Sequence, residues 1–377
     1  MNSRERILAA VNHKEPDRIP LDLGVGKSCK FTLGAYAKLI DYFKINEPSI
    51  RVGSKFAQLA HASDDLLEKL EVDVRTPFSP MAKIPGGQEW EDETSYFARD
   101  PWGTEWRMPK DNGHYYDMVK FPLSNAESDD GYVWPEIPKV KPEAVEEAKK
   151  YKDAGYSVFF SEHLANGFLQ TGPKLYGFDQ WLMMLAIEEQ KVEEFLEKLL
   201  EQKMEYYGNL FEAFGDNIDF VCEADDLGTQ TAPFISPQMY REIIKPRQKA
   251  LFQYIKRKSN AKIFLHSCGA VAKLIPDFIE IGVDILNPIQ VSATGMNAAA
   301  LKKDFGDSIV FWGGAVDSQK ILPTGTPEEV KDEVKRRIEE LAPGGGFVFA
   351  PIHNIQSDVP IENMVAMWEA FKEYRNY

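Results

Sequence analysis

From Pro142 onward the chain alternates helical patterns with short apolar runs at 157–161, 219–223, 262–266, 284–288, 309–313 and 346–350. Two earlier runs, 19–23 and 72–75, bring the number to eight. Short apolar runs bounded by turn formers predict buried strands. Buried strands that alternate with helices predict a parallel sheet covered on its outer face. Eight such units predict an α/β fold, a (β/α)8 TIM barrel. Helices are also predicted over 3–11, 33–43 and 56–70. The first is expected to start at a Ser3 cap and to pack the barrel base, although Arg6 stands where a capping box places an acid.

Residues 77–135 break the alternation. They are crowded with Pro, Gly, Trp and Asp, as in Asp100-Pro101-Trp102-Gly103 and Gly131-Tyr132-Val133-Trp134-Pro135. A hairpin-containing insertion is expected there, set into an otherwise single barrel domain over 1–377 and placed to cover a binding mouth. Gly344-Gly345-Gly346 has neither the helix start nor the Lys that a phosphate cradle needs, and is read as a turn before the last strand.

Composition narrows the picture. With 377 residues and 44% apolar content the chain can bury a large core. A net charge of −15 argues against nucleic acid, which needs clustered Lys and Arg. The amino terminus is charged within its first turn, and no apolar run reaches bilayer length, so no membrane association is expected and the location is read as cytoplasmic. Three scattered cysteines, Cys29, Cys222 and Cys268, point to reduced thiols or metal ligands rather than disulfides.

Parallel barrel strands all end at one mouth, so chemically capable residues are expected just after each apolar run. They are there: Glu162 and His163, then Glu223, Asp225 and Asp226, then His266 and Cys268, then Asn287 and Gln290, then Asp317, and last His353 and Asn354. Three of the six histidines fall at such positions. His266 and Cys268 are alternate residues at a strand end, so both reach one face, and imidazole with thiolate is a pair that zinc favours.

These segments carry a resemblance. The opening Arg4-Glu5-Arg6-Ile7 through Pro16-Asp17-Arg18-Ile19-Pro20 resembles the uroporphyrinogen decarboxylase superfamily in its cobamide-dependent (corrinoid) zinc methyltransferase branch. So do His266-Ser267-Cys268-Gly269, Trp312-Gly313-Gly314-Ala315-Val316-Asp317, Ala350-Pro351-Ile352-His353-Asn354-Ile355-Gln356 and Pro360-Ile361-Glu362-Asn363. The resemblance implies a (β/α)8 barrel and zinc held by His266, Cys268 and the group at position 353. That group is a cysteine in the zinc methyltransferases and His353 here. Glu223 is the candidate fourth ligand. The decarboxylases carry an arginine-rich segment after the first strand, where this chain reads Leu21-Asp22-Leu23-Gly24-Val25-Gly26-Lys27-Ser28-Cys29.

The function implied is methyl transfer from a small methylated substrate, such as a methoxylated aromatic, to the cobalt of a separate corrinoid protein. The corrinoid would sit on that partner, because the chain has no Asp-x-His-x-x-Gly cobalt-ligand motif. Glu223, Asp225, Asp226 and Glu162 are candidates to deliver a proton or hydrogen bond to the departing group. His163, Asn287, Gln290, Asp317 and Asn354 are the candidate substrate contacts. Trp102, Trp106, Tyr115, Tyr116 and Trp134 offer an aromatic wall, with packing as core the favoured role. The alternatives are methylcorrinoid-to-thiol transfer, metal-free decarboxylation of a tetrapyrrole, and a non-catalytic ligand-binding barrel.

Overall fold

A computed structural model of the chain describes residues 1–124 and 131–377. Seven parallel strands run side by side in chain order: β1 (Val74–Arg75), β2 (Ser157–Phe160), β3 (Phe220–Ala224), β4 (Lys262–His266), β5 (Ile285–Asn287), β6 (Val310–Trp312) and β7 (Phe347–Val348). The eighth predicted strand shrinks to a single parallel bridge between Leu21 and Phe349, which closes the ring. Asp22 N donates to Phe349 O and Phe349 N to Pro20 O, while Asp73 N donates to Leu21 O from the other side. The segment stays short because Gly24 turns away at φ +109° and the Asp22 carboxylate accepts from the amides of Val25 and Gly26. The structure is therefore the expected TIM barrel.

Inside the ring, Phe159, Phe220, Phe264 and Trp312 fill the core below the mouth, each with no exposed surface. Their rings meet at 4.9 Å (Phe159–Phe264), 5.3 Å (Phe220–Trp312) and 5.6 Å (Phe264–Trp312). Side chains of different strands thus interdigitate in a layer, making a packed interior rather than a pore. The base is tied by charge. Arg6 bridges Asp17 and Asp73, and Arg4 bridges Asp219. Asp73 and Asp219 each stand just before a barrel strand, so the first helix (Ser3–Val11) is fastened to the strand starts.

Two local expectations are corrected. The first helix is capped by Asn2, not Ser3: Asn2 Oδ1 accepts from Glu5 N and Glu5 Oε2 from Asn2 N, a complete capping box whose acid is Glu5. The predicted 56–70 helix is confined to Asp64–Lys69, because Leu59–Ala60 pairs antiparallel with Val52–Ser54 and Ser63 caps the helix at Leu66 N. Within 77–135 the chain folds as a four-stranded antiparallel sheet, Gln88–Glu91, Ser95–Arg99, Glu105–Pro109 and Asp117–Lys120. Residues 125–130 of that stretch lie outside the described residues. No described helix is long and apolar enough to cross a membrane.

Candidate metal centre

Pairing of β3 with β4 sets the site. Leu265 lies opposite Glu223 and His266 opposite Ala224, so the segments that leave the two strands run together. Asp225 N donates to His266 O, and Leu227 N donates to Ser267 Oγ. Next, Gly269 at φ +90° lies against Gly228, where a Cβ would come 2.3 Å from the Gly228 carbonyl oxygen. Only hydrogen fits there. The crossing brings Cys268 N to 2.8 Å from Asp226 Oδ1.

Three donor groups converge as a result. His266 Nε2 is 3.4 Å from Cys268 Sγ and 3.5 Å from Asp226 Oδ1, and the ligand atoms of Asp226, His266 and Cys268 all lie within 4.8 Å of one another. Ser28 Oγ is 3.3 Å from the same nitrogen. The tautomer of His266 follows from its other side. Asn287 Nδ2 donates to Trp312 O, so Asn287 Oδ1 faces His266 Nδ1 at 2.6 Å and must accept a proton from it. Nε2 is left as a lone pair aimed at the cluster, the arrangement a metal-ligating imidazole requires.

The electrostatics agree. Burial, with Lys27, holds the His266 pKa below the usual imidazole value, against the pull of Asp226 and Asn287. Burial and then the Asp226 charge push the Cys268 thiol well above the usual range. Burial opposes ionisation of Asp226, but His266, the Cys268 amide, Gln170 and Lys27 together hold it below the ordinary carboxylate value. A neutral imidazole, a thiol whose proton a cation can displace, and a carboxylate form a donor set that fits zinc. One side opens on a cavity of about 530 Å³ lined by Gln230, Gln290, Gln319, His353, Asn354 and Gln356 among others. Three protein donors with one open side is the pattern of a catalytic rather than a structural zinc.

The other predicted residues separate into groups. His353 is exposed on the rim of this cavity and is not one of the three mutually close donors, among which Asp226 stands beside His266 and Cys268. Glu223, expected as the fourth ligand, is also outside that group. Its carboxylate accepts from Lys203 Nζ at 2.8 and 3.1 Å and from Tyr207 OH at 2.8 Å, and the Lys203 side chain is fully buried. Asp225, expected as a proton donor, accepts from the amides of Leu169 and Gln170 and from Gln248, capping the helix Phe168–Tyr176; burial raises its pKa to about 7.

Asn287, expected to touch substrate, is the partner that orients His266. Asp317 caps its own turn, accepting from the amides of Gln319 and Lys320. Gln290 and Asn354 line the cavity while also bonding Gly269 N and Lys30 N.

Glu162 and His163 face a second cavity of about 400 Å³, shared with Phe56, Trp102 and Trp106. Tyr116 packs edge-on against Phe56, Trp134 packs on Trp102 and Phe195, and Tyr115 is exposed, so the expected aromatic wall is divided between core, second cavity and surface. Asp226 was expected at the mouth but not among the candidate ligands; its place in the close donor group makes it one. Its position two residues past β3, matching Cys268 two residues past β4, was the available signal.

The uroporphyrinogen decarboxylase (URO-D) family model matches residues 168–374, more than half of the chain. Two proteins named methylcobamide:CoM methyltransferase MtaA, from Methanosarcina barkeri and from its strain Fusaro / DSM 804, are 29% and 28% identical over 156 residues. That match covers 41% of this chain and 42% of each relative, so the chain spans about two fifths of their length. A solved structure described as a methyltransferase from Methanosarcina mazei superposes with a TM-score of 0.65 at 19% identity, covering 99% of both chains, and so shares the fold. The family match extends through β3 to β7 and the helices between them, and with it the chain belongs to the uroporphyrinogen decarboxylase (URO-D) family.

Proposed function

We propose that this chain is a zinc-dependent methyltransferase that moves a methyl group from a small methylated substrate, such as a methoxylated aromatic, to the cobalt of a separate corrinoid protein. The observation that carries it is the His266 Nε2 lone pair facing Cys268 Sγ and Asp226 Oδ1 beside an open cavity. His266, Cys268 and Asp226 would hold zinc, which supplies Lewis acidity toward the substrate heteroatom. Asn287 fixes the imidazole, and the Gly228–Gly269 approach fixes the sulfur and carboxylate. Gln290 and Asn354 present amide groups to whatever enters. Glu223 and Asp225 are held in structural bonds, which leaves Glu162, its pKa raised by burial, as the proposed proton donor.

One second reading has a specific observation behind it. The curated relatives are named for transfer from a methylcobamide to a thiol, CoM. With Asp226 in the donor set, thiolate and carboxylate together would offset the charge of a zinc ion, a charge balance compatible with thiol activation. Spectroscopy separates the two directions. Zinc-loaded protein given cob(I)alamin and methoxylated aromatics should form methylcobalamin. Loss of methylcobalamin on adding a thiol, without the first reaction, would establish the second direction. If neither occurs and metal-free protein decarboxylates uroporphyrinogen, both readings are wrong.

A further inference from the structure

The two lysines that are buried among the described residues, Lys174 and Lys203, each come with a carboxylate. Lys174 Nζ is 2.9 Å from Asp100, and Lys203 Nζ is 2.8 Å from Glu223. Lys27, half-buried on the loop after Leu21, is different. Its Nζ lies 3.0 Å from His163 Nε2, and no carboxylate among the described residues lies within 4.0 Å of it. His163 Nδ1 sits 2.6 Å from the Ala165 carbonyl oxygen and must donate to it, so Nε2 accepts from the ammonium. Burial, then the charge of Lys27, holds that imidazole well below its usual pKa.

Lys27 acts electrostatically on His266, Cys268, Asp226 and His353, and on Glu162 on the side of the second cavity. Its neighbour Ser28 touches His266 Nε2. Lys27 is therefore linked to the second cavity through His163, which lines it, and to the metal-type centre through its neighbour Ser28, with ammonium protons beyond the one given to His163. With Asp226 and Glu162 near enough to feel Lys27 but no carboxylate in contact with it, an anion brought to the ammonium would complete its pairing.

We propose that Lys27, steadied by His163, receives a carboxylate carried by the substrate, so that the substrate is a small organic anion. This rests on the methyltransferase reading only for the chemistry at the substrate's other end. An ammonium is a point charge that accepts an anion from many directions, which suits a carboxylate whose exact pose is set by the transferable methyl group.

The test uses zinc-loaded full-length protein without corrinoid and measures binding calorimetrically. The probes are two matched pairs, 4-methoxybenzoate with 4-methoxybenzamide and 3-methoxypropionate with 3-methoxypropanamide. In at least one pair the carboxylate should bind on the order of 10- to 100-fold more tightly than its amide. Lys27→Met should erase that preference, with zinc content and circular dichroism unchanged, and Lys27→Arg should keep most of it. No preference in either pair, or a preference that survives in Lys27→Met, would overturn the proposal. Because no methyl transfer is measured, a preference in an inactive protein would sink the functional reading and leave the subsite standing.

Discussion

The 2.6 Å contact between His266 Nδ1 and Asn287 Oδ1 decides what the centre can do, because it alone assigns the lone pair to the nitrogen that faces Cys268 and Asp226. Asn287 is in turn locked by its bond to Trp312 O, so the barrel wall itself dictates the imidazole's protonation.

Replacing Asn287 with Leu should therefore weaken zinc affinity about 10- to 100-fold, as loss of such an orienting partner does. Asn287→Asp, which keeps an acceptor for the Nδ1 proton, should retain most of it. Competition with a chromophoric chelator measures both, and equal affinity in the Leu variant would mean that something else orients the ring.

Glu223 and Cys268 should respond in opposite ways. Glu223→Ala strands the buried Lys203 ammonium, so stability should fall by about 3–5 kcal/mol in denaturant unfolding while the zinc stoichiometry is kept. Cys268→Ala should abolish stoichiometric zinc at little cost in stability. Loss of zinc in a folded Glu223 variant would return that residue to the ligand set.

Proton release on metal uptake follows from the shifted groups. The Cys268 thiol is protonated at neutral pH because its pKa is raised, whereas His266, its pKa lowered, is already neutral there. Zinc binding should thus release about one proton per site, and affinity should rise about tenfold per pH unit until the thiol ionises on its own. Calorimetry in buffers of different ionisation enthalpy counts the proton, and Cys268→Ser should change the count.

Gly269 tests the backbone geometry. A methyl group there would collide with the Gly228 carbonyl, and φ +90° is unfavourable for any side chain. Gly269→Ala should displace Cys268 from Asp226 and lower zinc affinity severely, with the far-UV spectrum of the barrel preserved. Gly344→Ala, at a positive φ with open space around it, serves as the control for strain alone.

Much of this was legible in the residues. Apolar runs announce every barrel strand because strands buried on both faces cannot be polar, and even the run at Leu21, which makes only a bridge, occupies its place in the ring. His266 and Cys268 were legible as a pair because strand alternation is local. The rest depended on contacts across strands. Periodicity says nothing of whether Glu223 points at the mouth or at Lys203, or whether Asn287 meets a ligand or a histidine. The 56–63 stretch looked helical because its apolar spacing fits a helix, while long-range pairing with Val52–Ser54 decided otherwise.

The donors also belong to two different strand exits, Asp226 after β3 and His266 with Cys268 at the end of β4. An ion bound to all three would act as a rivet through adjacent staves, so prising the staves apart would first require giving up the metal. Occupancy would then be readable as heat resistance: the melting temperature should climb with free zinc as mass action demands, and the Cys268→Ala protein should melt at one temperature whatever the zinc supplied.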